Sequence, residues 1–313
     1  MVQESGCLYH PENGVTLTSR MRLPPHILVV NGIKVRRPVF LVGAPHSGTD
    51  LLARALKRAP GFHLTTGRAC VAHVVYAFAR RPSIGRTSGA VRVLRDALAE
   101  SWQVLNGSCG LCSDACREAG GVTSTGPCVA TGEVTRFGDA SPDLLYAVPV
   151  LRRAFPDARF VQLIRDGRDV TADMLDDPAC LAWFKPVMLP EDTEFPNEFL
   201  GVNRDEHRDR WKTMPVAGKS ALRWRSAVRL NATLRQELPE DQLITVRYED
   251  LALRPAQEAA RLSEFLDTRV PKVALYGPAP RVGGWRARLR AEDAELVEKV
   301  ARQELTRLGY LTS

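Results

Sequence analysis

Short apolar runs alternate with longer amphipathic stretches along most of the chain. Val39-Phe-Leu-Val42, Phe160-Val-Gln-Leu-Ile164 and Leu243-Ile-Thr-Val-Arg247 are too continuously apolar for a half-exposed strand, so they read as strands buried on both faces. After the first run, Leu51, Leu52, Ala55, Leu56 and Ala59 recur at helical spacing until Pro60-Gly61 stops the helix. The same periodicity predicts helices over 68–80, 89–105, Asp143 to Phe155, Ser220 to Leu238 and about Leu253 to Leu266. A last helix is lined by Val297, Ala301, Leu305 and Leu308 and capped by Gly309. Strands alternating with helices predict an α/β fold, a parallel sheet flanked by helices, in a single domain over 38–313.

Residues 1–37 read as an extension in which Ile27–Val30 and Ile33–Val35 form a hairpin around Asn31-Gly32. Residues 60–137 are less legible and contain a Gly-, Cys- and Ser-rich loop at 106–132. Residues 177–216 are Pro-rich and irregular, with Trp183, Phe184, Phe195, Phe199 and Trp211; a loop this long in a compact domain usually covers a site.

Composition changes this picture little. The 313 residues carry a net charge of +7, and seven lysines stand against 36 arginines. Arginine favours bidentate recognition of phosphate-like anions, although a solvated basic surface is an equally good reading. No apolar run reaches the ~18 residues of a membrane span. The N-terminal residues lack the basic and apolar regions of a secretory signal, so a cytoplasmic location is expected. Nothing interleaves basic and aromatic residues as nucleic-acid modules do, so no nucleic-acid partner is expected.

The segment after the first strand carries the candidate chemistry. Gly43 and Gly48 of Gly43-Ala-Pro-His-Ser-Gly-Thr49 have the spacing of a Walker A loop, but Thr49 replaces its lysine and Asp50 its magnesium-binding hydroxyl. A phosphate cradle of free amides at a helix N-terminus remains, without the ATP-specific groups. A βα turn with no ligand is the competing reading. The second strand ends in Arg165, where open α/β sheets bind ligands, and Arg165 and Arg168 flank an Asp-Gly turn. There the competing reading is an ion-pair cluster with Asp166 and Asp169.

Together PVFLVGAPHSGTDLL, FPDARF, VQLIRDGRDV, RYEDL and GGWR, in this order over roughly residues 37–310, resemble the sulfotransferases that use 3′-phosphoadenosine 5′-phosphosulfate (PAPS). The resemblance implies a P-loop-like sulfotransferase fold with a Cys-rich insertion. It implies transfer of a sulfuryl group from PAPS, leaving PAP, to a hydroxyl or amine of a small-molecule or glycan acceptor, without a catalytic metal. It places Pro45, His46, Ser47, Gly48, Thr49 and Asp50 on the 5′-phosphosulfate, and Arg165 on the 3′-phosphate. Tyr248 falls near the adenine, and Arg281, Gly283, Gly284, Trp285 and Arg286 in a segment closing over the 3′-phosphate.

The chain also departs from that pattern. His46 stands where the family has Lys or Arg, as a leaving-group cation, a general base or neither. Asp173 stands where a serine usually meets the 3′-phosphate, and a carboxylate there repels it. Thr66, Gly67 and Arg68 occupy the segment of the usual glutamate base, and Ala140 replaces a lysine. Glu133, Arg136 and Asp139 are the nearby polar candidates for catalysis, with His207 a weaker one. A non-catalytic nucleotide-binding or interaction protein on the same fold is therefore the alternative reading.

Cys109, Cys112, Cys116 and Cys128 have zinc-ligand spacing, which predicts a structural zinc; disulfides and free thiols remain the alternatives. The acceptor and the oligomeric state have no signature in the sequence.

Overall fold

The computed structural model describes residues 27–104, 108–112, 114–122, 128–129, 131–185, 193–204, 207–275 and 281–312. Its centre is a five-stranded, all-parallel sheet in the order β4 (Phe62–Thr65), β5 (Arg136–Asp139), β3 (Val39–Gly43), β6 (Arg159–Ile164), β7 (Leu243–Arg247). Alternate residues of the central strands feed two cores. Val39, Leu41, Val161 and Leu163 pack with Leu52, Leu56 and Leu262 on one face. Phe40, Val42 and Phe160 pack with Leu94, Trp102, Leu151 and Trp224 on the other. Helices on both faces explain why all five residues of β3 are buried and why its sequence does not alternate.

The hairpin forms around the Asn-Gly turn, as β1 (Val29–Val30) and β2 (Ile33–Lys34), with positive φ at both Asn31 and Gly32. The predicted helices appear at Thr49–Lys57, Ala69–Arg80, Ser88–Ser101, Val148–Ala154, Val216–Glu237, Pro255–Leu266 and Ala291–Arg307. Among the described residues no helix is long and apolar enough to cross a membrane.

Two strands escape the apolar pattern. β4 and β5 are four residues each and carry buried polar groups: His63, Thr65 and Asp139. Thr65 and Asp139 satisfy one another across the two strands. Thr65 Oγ1 donates to Asp139 Oδ2 at 2.6 Å, and Ser101 Oγ donates to Thr65 Oγ1 at 2.9 Å. The irregular 177–216 segment folds onto itself around Phe184, Phe199, Leu200 and Trp211, with short helices at Pro178–Ala182 and Arg208–Thr213; residues 186–192 lie outside the described residues.

The order β4-β5-β3-β6-β7 reverses direction at β3, so the loop after β3 opens into a topological switch point, where doubly wound sheets bind ligands. Trp102 locks this part of the sheet: it is fully buried and its Nε1 donates to Gly138 O of β5 at 2.8 Å. Trp102→Ala is expected to destabilise the fold by about 3–5 kcal/mol, read from a denaturant midpoint.

Candidate active site

The loop from β3 into the helix Thr49–Lys57 is a tight cradle. Gly48 sits at φ 98°, and a Cβ there would lie 2.6 Å from the Tyr248 ring, so glycine is required both for backbone and for space. His46 holds a left-handed conformation at φ 59°, unusual for a side-chain-bearing residue and common at functional sites. Ser47 is buried, and its Oγ has no hydrogen-bond partner. Asp50 is exposed in the first helical turn.

This cradle forms part of a cavity of about 590 Å³. Pro45, His46, Thr49 and Asp50 line it, facing Tyr76 and Trp183, whose rings lie 4.9 Å apart. The 177–216 segment thus contributes Asp177, Cys180 and Trp183 to its wall. His46 Nε2 is 3.0 Å from Asp177 Oδ2 and 3.8 Å from Cys180 Sγ. Burial works to raise the Asp177 carboxyl, but hydrogen bonds from Ala179 N, Cys180 and His46 hold it below its usual value. Burial pushes the Cys180 thiol up to about 12, over the opposing pull of Arg223. Arg223 is itself buried, ion-paired with Asp143 and stacked over Phe199 at 4.1 Å.

The remaining predicted binding residues form a second group, joined to the first through the backbone of His46. Arg165 Nη1 donates to His46 O at 2.7 Å and to Asp173 Oδ2 at 2.6 Å, and its Nη2 donates to Arg281 O at 3.0 Å. Its guanidinium lies 4.3 Å from the centre of the Tyr248 ring. Asp169 accepts from Gly283 N at 2.7 Å and Trp285 N at 2.8 Å, which docks the Gly283-Gly-Trp-Arg286 loop. The guanidinium groups of Arg168 and Arg286 both lie over the Trp285 ring, at 4.4 and 4.7 Å from its centre. Of the expected ion pairs beside the Asp-Gly turn, Arg168–Asp166 forms, whereas Asp169 serves backbone amides instead.

Three of the four catalytic candidates stand apart from the cavity. Glu133 is exposed just before β5. Arg136 begins β5 and bonds the carbonyls of Leu266 and Asp267, at the end of the sheet opposite the phosphate loop. Sequence proximity to the site is misleading for both, because β5 carries the chain across the sheet before it reaches the cavity. Asp139 lies at the correct end but is wholly buried, with Thr65 Oγ1 and Ser141 N occupying its oxygens. It holds the strand ends that present Thr66 and Ser141 to the cavity.

Asp177, Cys180, Arg223 and Arg288 were missed. Asp177-Pro178 carries an N-cap signal, and Asp177 Oδ1 does cap Ala179 N at 2.9 Å. Arg223 lies mid-helix with nothing in sequence to distinguish it from the surface arginines.

The four cysteines of the insertion share one region as two pairs. Cys109 Sγ accepts from Cys128 N at 3.2 Å, and Cys112 and Cys116 share a thiol hydrogen bond that lowers Cys116 and raises Cys112. Lys57 and Arg68 stand beside them, and no disulfide links the described cysteines. Among the described residues, the donor atoms that converge within 4.8 Å are those of His46, Asp177 and Cys180, and no three of these four thiols do so. The thiols therefore suit zinc in type, while the tetrahedral convergence expected from their spacing is absent. Glu118 and Ala119 of this insertion also line the cavity.

A Gly-rich cradle at the switch point of a parallel sheet, with a buried arginine at the next strand end, has the features of a phosphate-binding site. The sulfotransferase family model matches residues 38–177 and 199–272, and the chain belongs to that family. A search of curated proteins finds no match. Similar solved structures include the sulfotransferase domain of the Synechococcus PCC 7002 olefin synthase, at 15% identity and TM-score 0.44, covering 84% of this chain and 94% of that one. The sulfotransferase domain from the curacin biosynthetic pathway is 16% identical at TM-score 0.45, covering 89% and 100%. Sulfotransferase STF1 of Mycobacterium tuberculosis is 17% identical at TM-score 0.44, covering 86% and 77%.

Burial raises Asp139 to about 6, over the lowering effect of its Thr65 and Ser141 hydrogen bonds. Its folded value lies above its unfolded value, so the protonated form stabilises the fold and that contribution is lost as pH rises from about 4 to 6. Wild-type stability relative to Asp139→Asn is expected to fall by ~1–3 kcal/mol across that window, measured by urea unfolding at each pH.

Proposed function

We propose that the chain transfers the sulfuryl group of an adenosine 5′-phosphosulfate nucleotide, PAPS by family resemblance, to a hydroxyl or amine of a small-molecule or glycan acceptor. The observation that carries this reading is the cradle: Pro45, His46, Thr49 and Asp50 line one cavity together with Asp177, the hydrogen-bond partner of His46, and the adjoining buried Ser47 hydroxyl has no partner. Helix-terminal amides favour the negative charge that grows on a leaving phosphate.

In the transfer, the bond between sulfur and the bridging oxygen breaks and its electron pair stays on the departing nucleotide phosphate. The acceptor oxygen or nitrogen forms the new bond to sulfur and gives up its proton. His46 is the base in this reading. Its Nε2–H donates to Asp177, so the neutral ring keeps its lone pair on Nδ1, and the carboxylate stabilises the imidazolium formed on proton uptake. Arg165 fixes the loop carbonyl that carries His46 and so acts by positioning. Tyr76 and Trp183 supply apolar wall for the acceptor.

Zinc takes no part in this reading, because Cys109, Cys112, Cys116 and Cys128 suit the metal by type but do not converge on one point. Elemental analysis of the purified protein tests this, and one zinc per chain that is lost on substituting these cysteines would contradict it.

His46→Ala is expected to lower kcat by about 10²–10⁴-fold while nucleotide affinity stays within about threefold. Unchanged turnover would take His46 out of the mechanism. Calorimetry with PAP and with AMP tests the donor, and no binding of either at high micromolar concentration sinks the reading.

A further inference from the structure

The guanidinium cluster beside the phosphate loop already holds its anion. Asp173 Oδ2 accepts from Arg165 at 2.6 Å, and Oδ1 accepts from Arg288 and, at 3.5 Å, from Arg281. Arg288 also donates to Asp176 Oδ2 at 2.6 Å and Ala172 O at 3.1 Å. Arg165 is 3% exposed, with both terminal nitrogens committed to protein acceptors; its one partnerless nitrogen, Nε, is buried. Nη1 is thus doubly engaged, and the remaining Nη2 and Nε hydrogens belong to a side chain almost wholly enclosed by protein, so little of Arg165 is open to a second anion.

Two carboxylates, Asp173 and Asp176, bring about the charge of one phosphate dianion to this place. The loop 281–288 is docked by the chain's own acidic residues, through Asp169 to two backbone amides and through Asp173 to Arg281 and Arg288. A phosphate entering here would meet the Asp173 carboxylate in direct contact with the arginines it seeks, and like charges at that separation repel.

We infer that Asp173 takes the place of the donor's 3′-phosphate, and that this chain accepts a nucleotide with a free 3′-hydroxyl: adenosine 5′-phosphosulfate as donor and AMP as product. This rests on the reading of the cradle as a 5′-phosphosulfate site and specifies which nucleotide that site selects. Asp173 is a specificity-determining residue and touches neither the sulfuryl group nor the acceptor.

The test is calorimetric titration of AMP and of PAP into the wild-type chain, Asp173→Ser and Asp173→Asn, with thermal unfolding as a folding check. The wild type is expected to bind AMP at least as tightly as PAP. Either folded variant is expected to gain tenfold or more in PAP affinity while AMP affinity shifts less than about threefold. Wild-type binding of PAP tenfold tighter than AMP overturns the inference even if neither variant folds. Binding of neither nucleotide overturns the donor reading, and the inference falls with it.

Discussion

The position of Arg165 organises the site. It stands at the C-terminal end of β6, buried under Tyr248, and its two terminal nitrogens reach three separate parts of the chain. One is the carbonyl of His46 in the phosphate loop, the second is Asp173 on the following helix, and the third is the carbonyl of Arg281 near the C-terminal helices. Burying a guanidinium is costly unless it is hydrogen-bonded, and here the three bonds of its terminal nitrogens tie loop, helix and closing segment together. The unusual backbone of His46 is held by this same contact. The side chain of His46 thereby enters the cavity from one side of the loop while the arginine cluster lies on the other.

Burial explains the rest of the electrostatic arrangement. Arg223 and Asp143 form a buried ion pair at one wall of the cavity, which Asp177 and Cys180 also line. Breaking one such buried pair costs far more than its net contribution, because the remaining charge is left without a partner. His46 and Asp177, both half-buried, are set relative to one another by their own 3.0 Å hydrogen bond. The Cys-rich insertion, through Glu118 and Ala119, and the 177–216 segment, through Asp177, Cys180 and Trp183, both add walls to this cavity outside the sheet.

Much of the fold was legible because it depends on hydrophobic periodicity. β3, β6 and β7, the Asn31-Gly32 hairpin and most helices announce themselves by continuous apolar runs or by spacing. β4 and β5 do not, because each is short and buries polar groups whose partners are distant in sequence: Thr65 and Asp139 are 74 residues apart. The site was legible in the same partial way. The family resemblance assigns the phosphate loop, Arg165, Tyr248 and the Gly283-Gly284 segment to one ligand, and in the structure Arg165 touches the loop, the Tyr248 ring and Arg281. Glu133 and Arg136 misled because nearness along a strand says nothing about which end of the sheet a residue occupies. Asp177, Cys180 and Arg288 were invisible because their roles arise only from tertiary neighbours. Asp173 was noticed as a departure, but its three arginine partners could not be read from sequence.

The central claim is that the loop at residues 43–49 holds the 5′-phosphate end of a nucleotide while Asp173 keeps the arginine cluster. A crystal structure of the chain with bound AMP measures both at once. The account predicts phosphate oxygens on the amides of Ser47, Gly48 and Thr49, the Ser47 hydroxyl engaged, and Asp173 still on Arg165. A nucleotide bound elsewhere, or a phosphate on Arg165 with Asp173 displaced, would contradict it.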